Sequence, residues 1–392
     1  MAHFSKVAQE PEDPIYGLQV SFKKDTRPDK INLSIGVFPK DPTSSFRFSA
    51  VDAAEKILAE KKLSKDYLPI DGLVAFCNHT TDLVLGNDRS HPSLTSYTAQ
   101  TVGGTAALHI GAKFLLQNGV RKIFISDPTW VNHRRLFEAC GLEVLNYPYE
   151  ITKAGTVDLK KMLTAIQNMP ENSCIVLQAS CHNPTGIDPT DADWQTLSDA
   201  IRAKKLIPFF DMAYQGIGRG LDQDAASIRL FLKNNHEMLI ASSFSKNFGL
   251  YSDRVGALTI TCEPASVSPI SSQIRKIIRS IYSSPPAHGA HIVNTILSSD
   301  ELSLLWKDEL ATLRKKLHDS REAIHLIVEK NNKMGSFEQL MKSTGLFCMC
   351  NISREKVLEL RKEKGLYLCD DGRINIAAVR PELVQFIADS IL

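Results

Sequence analysis

The chain has 392 residues, of which 43% are hydrophobic and 23% charged, and its formal net charge is +2. These values describe an ordinary globular protein able to bury a large core without covalent staples, and the balanced charge argues against nucleic-acid and membrane partners. No apolar run reaches the roughly 20 residues of a membrane span. The eight cysteines are scattered with no CxxC pair, which reads as free thiols in a reducing compartment rather than a disulfide framework. The opening MAHFSKVAQEPEDP is polar and carries acids, unlike a secretion or transit signal, so a cytoplasmic location is expected.

Residues 1–48 are rich in Pro, Lys and Asp and read as an extended arm. A helical pattern opens with Ser49 as N-cap and continues through Val51, Ala54, Ile57 and Leu58. From residue 103 the chain alternates. GGTAALHIGAKFLLQNG reads as a helix, KIFIS (122–126) as a strand, 132–140 as a helix and 143–147 as a strand. Helices at 158–168 and 190–204 precede the strands LIPFFD (206–211) and, for the first, SCIVLQA (173–179); MLIASS (238–243) and RVGALTI (254–260) follow. Strands alternating with helical patterns predict a mostly parallel sheet with helices on both faces. A charged amphipathic helix is expected at 299–330. The final stretch, LFCMCNI, SREKVLELRKE, LYLC, INIA and PELVQFIADSIL, reads as a small α+β domain. The chain thus divides into 1–48, an arm with part of the small domain; 49–298, a large domain; and 299–392, an interdomain helix with the C-terminal small domain.

Several polar motifs fall at strand ends, where open α/β sheets hold their ligands. Gly103, Gly104 and Thr105 start a helix whose free N–H groups form an anion site. Asp211 ends an apolar strand, and a carboxylate there can keep a heterocyclic nitrogen protonated. Lys246, in SSFSKNFG, is placed to form an imine, with Ser243, Ser245 and Arg254 as donors to a phosphate. The Asn183 amide can donate to a ring oxygen, and Trp130 can stack on a ring face. Each motif alone is weak, since glycines, Asn-Pro and tryptophan are common in turns and cores. His182 and His288 lack companions at ligand spacing and read as structural, so no metal is expected. His133 is expected in the surround of the site. Asp127-Pro128 and Asn183-Pro184 are candidate cis peptides.

Together SSFSKNFGLYSDRVGAL, CHNPTGIDPT, FDMAYQGIGRG and YSSPPAHGA resemble the aspartate/aromatic aminotransferases, class I of the fold-type I pyridoxal-phosphate enzymes. The likeness runs from PEDPIYGL near the start to GRINIAAV near the end. It implies an α/β fold with a large domain around a mostly parallel seven-stranded sheet, plus a smaller α+β domain. It implies pyridoxal 5'-phosphate as cofactor, bound by Lys246 and resting on Asp211 at the ring nitrogen, Asn183 and Tyr214 at the ring oxygen, Trp130 on the ring face, and Gly103, Gly104, Thr105, Ser243, Ser245 and Arg254 around the phosphate. Tyr67, in DYLPIDG, resembles a tyrosine that reaches the phosphate of a neighbouring subunit. Arg373 resembles the arginine for the substrate α-carboxylate, and Arg279 one that crosses a homodimer interface to the distal carboxylate. Gly36 resembles the glycine of a segment that closes over substrate, and Trp130 and Asn183 also face substrate. Gln178 stands where the family usually has a histidine supporting the Asp–pyridinium contact.

The resemblance implies a ping-pong transfer of the amino group from L-aspartate to 2-oxoglutarate, Lys246 carrying the proton. An aromatic-preferring aminotransferase is the alternative within the class. A non-catalytic relative is disfavoured because every proposed chemical group is present.

Overall fold

Alternate residues of the central strands face opposite ways, and both ways are apolar. Cys174 and Val176 join one buried cluster while Ile175 and Leu177 join another; Phe209 and Phe210 divide in the same manner, as do Leu239 and Ile240. A strand apolar on both faces must be covered on both, and that requirement sets the layered architecture. The computed structural model describes the chain except residues 1–2, 12–13, 41–43, 87–90, 332–336, 338 and 392, so those parts of the expected arm and the last residue of the final helix lie outside the described residues.

The first strand, β1 (Ile31–Asn32), lies apart from the large sheet. That sheet holds β2 (Thr95–Val102), β3 (Lys122–Asp127), β4 (Glu143–Pro148), β5 (Cys174–Gln178), β6 (Ile207–Met212), β7 (Met238–Ser243) and β8 (Val255–Cys262). Its seven strands run in the order β2-β8-β7-β6-β5-β3-β4. All are mutually parallel except β8, which is antiparallel to both neighbours. On one face the helices Gly103–Gln117, Asn132–Ala139 and Val267–Ile281 contribute Leu108, Phe137 and Ile274; on the other, Leu159–Gln167, Asp191–Ala203 and Ala226–Lys233 contribute Ile166, Trp194 and Phe231.

The chain ends with β9 (Phe347–Met349), β10 (Leu366–Tyr367) and β11 (Arg373–Asn375). β9 pairs with β11, and β10 pairs in parallel with β1, so the start of the chain joins its end. The helix Asp300–Lys330 buries Leu302, Trp306, Leu310, Leu313, Leu317, Arg321, Ile324 and Val328, three or four residues apart, as one amphipathic stripe. No helix among the described residues is long and apolar enough to cross a membrane.

Two expectations change, and one strand is new. The segment 1–48 is not simply extended: Pro14–Lys24 is a helix, and Leu18, Leu33 and Phe38 are buried. Ser49 does not cap the helix Ser49–Lys61; Glu309, from the long helix, accepts from the N–H groups of Ser49 (2.7 Å) and Ala50 (3.1 Å). A carboxylate at a helix N-terminus satisfies orphan donors and complements the dipole. β2 was not anticipated, because TSYTAQTV is mostly polar; its edge position needs little apolar surface.

The helix Asp191–Ala203 does carry its own cap. Thr190 Oγ1 accepts from Asp193 N (3.2 Å) and Asp193 Oδ2 accepts from Thr190 N (2.9 Å). Thr190→Ala should cost about 1 kcal/mol, seen as a lower urea midpoint with unchanged m-value.

Candidate active site

The carboxyl ends of β2, β3, β5, β6 and β7 share one edge of the sheet, and the reversed β8 brings its amino end there too. Gly103, Trp130, Asn183 and Lys246 follow such ends, Asp211 is the penultimate residue of β6, and Arg254 immediately precedes β8. One geometric rule therefore gathers motifs that are far apart in the chain.

At one end of the edge is an anion cup. Gly103 opens its helix with φ 74°, and a Cβ there would lie 2.5 Å from a terminal nitrogen of Arg254. A Cβ added to Gly256 would lie 2.4 Å from the carbonyl carbon of Gly103. Glycine at both positions is what lets the strand, the helix start and the guanidinium converge. Arg254 donates to Ser245 Oγ (3.3 Å) and to the Tyr251 carbonyl (3.1 Å), and the hydroxyls of Ser243 and Ser245 are 3.3 Å apart. Thr105 and Arg254 both line a cavity of about 650 Å³. A helix N-terminus, two hydroxyls and a guanidinium form a donor set for a phosphate.

Toward the middle of the edge Asp211 is only 8% exposed and accepts from His133 Nε2 at 3.1 Å. His133 is fully buried, its Nδ1 lies 2.8 Å from Thr129 Oγ1, and its ring meets Trp130 edge-on at 5.3 Å. Gln178, the β5 partner of Asp211, makes no hydrogen bond to that carboxylate. It bonds to the Asn183 backbone and to Thr129.

Lys246 makes no hydrogen bond or ion pair through its amine among the described residues; the Tyr214 ring lies 5.2 Å from Nζ. Desolvation holds its pKa below that of an ordinary lysine; the charge of Asp211 opposes this, and Arg254 and Arg373 reinforce it. Burial pushes the Tyr214 hydroxyl up, so it stays protonated and able to donate. His182 is pushed down to about 3 by burial and bonds to Ser126 and Thr185, consistent with a structural part.

Arg373 donates to Asn183 Oδ1 (2.8 Å), the Ser34 carbonyl (2.9 Å) and Cys369 Sγ (3.1 Å), and sits over the Phe347 ring at 4.2 Å. No carboxylate pairs with its side chain among the described residues, and its buried Nε has no partner. A buried cation with a spare donor fits an incoming carboxylate. Ser34, Phe347 and Cys369 carry no local sequence signal for this; they meet Arg373 only through the pairings of β1, β9 and β11. Gly36 packs against Phe347, which a Cβ would meet at 2.7 Å.

Two residues stay outside this network. Tyr67 is 93% exposed beside a cavity of about 880 Å³ that also borders Val102, Tyr282 and His288. Arg279 is exposed at the end of its helix and bonds to Ser283. The rest form a cradle that fits pyridoxal phosphate: a cup for a dianion, a buried carboxylate for a ring nitrogen, an unpartnered lysine, and an arginine without a counter-ion. Both candidate cis peptides, Asp127-Pro128 and Asn183-Pro184, are cis.

The lysine leaves a measurable trace. An amine whose pKa is lower folded than unfolded binds more protons unfolded, so it destabilises the cofactor-free chain at neutral pH. Lys246→Met should stabilise that form, with a gain that fades as pH climbs from the lowered value toward the ordinary 10.5. Urea titrations of both cofactor-free proteins across that range are the check.

Comparison with known proteins follows the same lines. The model of the aminotransferase class I and II family matches residues 28–391. The aspartate aminotransferase of Escherichia coli K12 is 38% identical, with 99% of each chain covered. The aromatic-amino-acid aminotransferase of Pseudomonas aeruginosa is 37% identical, covering 100% of this chain and 98% of its own. Among solved structures, the aromatic-amino-acid aminotransferase of Burkholderia pseudomallei covalently bound to pyridoxal phosphate superposes with a TM-score of 0.95 at 40% identity, over 100% of this chain and 99% of that one. The chain belongs to the aminotransferase class I and II family.

Proposed function

We propose that this aminotransferase transfers the amino group of L-aspartate to 2-oxoglutarate in two half-reactions, with pyridoxal 5'-phosphate as cofactor. The observation that carries the reading is a lysine with no bonded partner for its amine, set on one sheet edge with a buried carboxylate and with an arginine that lacks a counter-ion. When bound, the cofactor supplies an aldehyde for the amino group and a protonated ring that draws electrons from the substrate Cα.

The chain's residues supply the rest. Gly103, Gly104, Thr105, Ser243, Ser245 and Arg254 hold the phosphate. Asp211 keeps the ring nitrogen protonated, Asn183 and Tyr214 donate to the ring oxygen, and Trp130 covers a ring face. Arg373 grips the α-carboxylate, with Asn183 bonded to the same guanidinium and Gly36 in the segment above. Lys246 Nζ takes the Cα proton; its lowered pKa makes the free amine available as a base. Two guanidinium forks at opposite ends of a dicarboxylate orient the Cα–H toward that amine.

Arg279 binds the distal carboxylate and Tyr67 the phosphate of a partner subunit, so the enzyme works as a homodimer with shared sites. The exposure of Tyr67 (93%), Val74 (67%) and Ile281 (47%) supports a covered face here. The division at 48/49 and 298/299, with the two chain ends forming a smaller domain, belongs to the same proposal and is supported by the β1–β10 and β9–β11 pairings. So does a cytoplasmic location, which the eight buried free cysteines support.

Lys246→Ala should abolish the visible absorption of the purified holoenzyme and nearly all turnover; retained turnover refutes the assignment. Arg279→Ala should lower kcat/KM for aspartate by roughly ten- to a hundredfold while sparing phenylalanine and tyrosine. Mixing Lys246→Ala with Arg279→Ala subunits should restore aspartate activity, because a hybrid dimer rebuilds one complete site. Higher wild-type kcat/KM for phenylalanine than for aspartate would favour the aromatic reading instead.

A further inference from the structure

We infer that Gln178 is a positioning residue that fixes the direction of the hydrogen-bond chain running through Thr129 and His133 to Asp211. The inference rests on the role proposed for Asp211 at the ring nitrogen, and concerns how that carboxylate is held.

The orientation of the Gln178 amide is decided by two backbone groups of fixed polarity. Asn183 N–H can only donate, and it lies 2.8 Å from Oε1. The Asn183 carbonyl can only accept, and it lies 3.0 Å from Nε2. One amide hydrogen is thereby spent on Asn183, and the other faces Thr129 Oγ1 at 3.4 Å. An amide N–H has no acceptor form, so Thr129 Oγ1 receives, and its own hydrogen turns to His133 Nδ1 at 2.8 Å. His133 Nδ1 is then the bare nitrogen, Nε2 carries the hydrogen, and it donates to Asp211 Oδ2 at 3.1 Å. Every bond in the series points toward the carboxylate.

The surroundings leave this polarity unopposed. The groups against the His133 ring are Trp130 and Phe137, neither of them titratable. Two titratable groups face it: Asp211, in contact, and His182, which burial holds neutral. Gln178 also ties the two ends of the ring site together, since the same amide that orients the Asp211 chain closes a two-bond ring on Asn183, whose side chain meets Arg373. An amide does this without titrating.

The isosteric Gln178→Glu reverses the chain by a calculable route. Its inner oxygen still accepts from Asn183 N. Its outer oxygen, whether bare or with its proton turned to the Asn183 carbonyl, offers a lone pair to Thr129. Thr129 must then donate away from His133, and Oγ1 becomes the acceptor for an Nδ1–H.

Nitrogen NMR of the ¹⁵N-histidine-labelled holoenzyme, with the His133 signals assigned by their loss in His133→Gln, reads this directly. At a pH where the His133 ring is neutral, the wild type should show a bare Nδ1 and a protonated Nε2. Gln178→Glu should move the Nδ1 resonance to the protonated position. With Thr129→Val also present, exchanging Gln178 for Glu should no longer change the His133 pattern. A protonated Nδ1 in the wild type overturns the inference even if the variant fails to fold, as does an unchanged His133 pattern in a folded Gln178→Glu. These spectra stand apart from the Lys246→Ala result, which decides the cofactor assignment alone.

Discussion

A carboxylate removed from water must be bonded or it will not stay ionised. Asp211 lies near the carboxyl end of a strand buried in all but its first residue, and most of the site can be traced to how its carboxylate is bonded. Its donor is a histidine brought from the helix after β3, and that histidine leans on a threonine in the preceding turn. β5 lies between β3 and β6 in the sheet, so its terminal residue, Gln178, is placed to reach the turn that carries the threonine. Remove the sheet order and the same residues have no reason to meet.

Around this single negative group the chain sets three cations, Lys246, Arg254 and Arg373. The imbalance is the working principle of the pocket. Burial lowers the proton affinity of the lysine, the two guanidinium groups add to that effect, and both are left in need of anions. The lysine loop is itself anchored: Trp306 of the long helix donates to the Asn247 carbonyl (2.7 Å) and stacks on Phe248 at 4.3 Å. The same helix, through Glu309, caps the one that starts at Ser49. Uncompensated charge of this kind costs stability in the empty protein, and anionic ligands relieve it.

Much of this could be read before any coordinates. The strands that are apolar on both faces were plain, because Ile, Val, Leu and Phe runs between helical patterns have few other uses. The groups proposed to react were legible because they sit in long continuous motifs. What stayed hidden was of two kinds. β2 is polar enough to escape any hydrophobic pattern, and Pro14–Lys24 begins with a proline among residues that look like a loop. The other kind is non-local. The contacts of Arg373 with Ser34 and of Ser49 with Glu309 join residues hundreds of positions apart, and Thr129 and His133 lie between Gln178 and Asp211. Hydrogen-bond direction is invisible to periodicity.

The reversed strand β8 has an effect at the far edge of the sheet. By delivering Arg254 from its amino end, it adds to the candidate site on one side, while connections such as 118–121, 140–142, 168–173, 204–206 and 234–237 lie at the other. These are tight returns, several turning on a left-handed residue such as Gly119, Gly141, Asn172, Lys205 or Asn235, and none carries a group of the site. A side chain added at Gly119 would meet nothing within 4 Å, although its φ of 91° favours glycine. That rim is where the molecule can be lengthened, tagged or reshaped without disturbing a reacting atom. Descendants of this sequence have a free margin there and almost none on the opposite one.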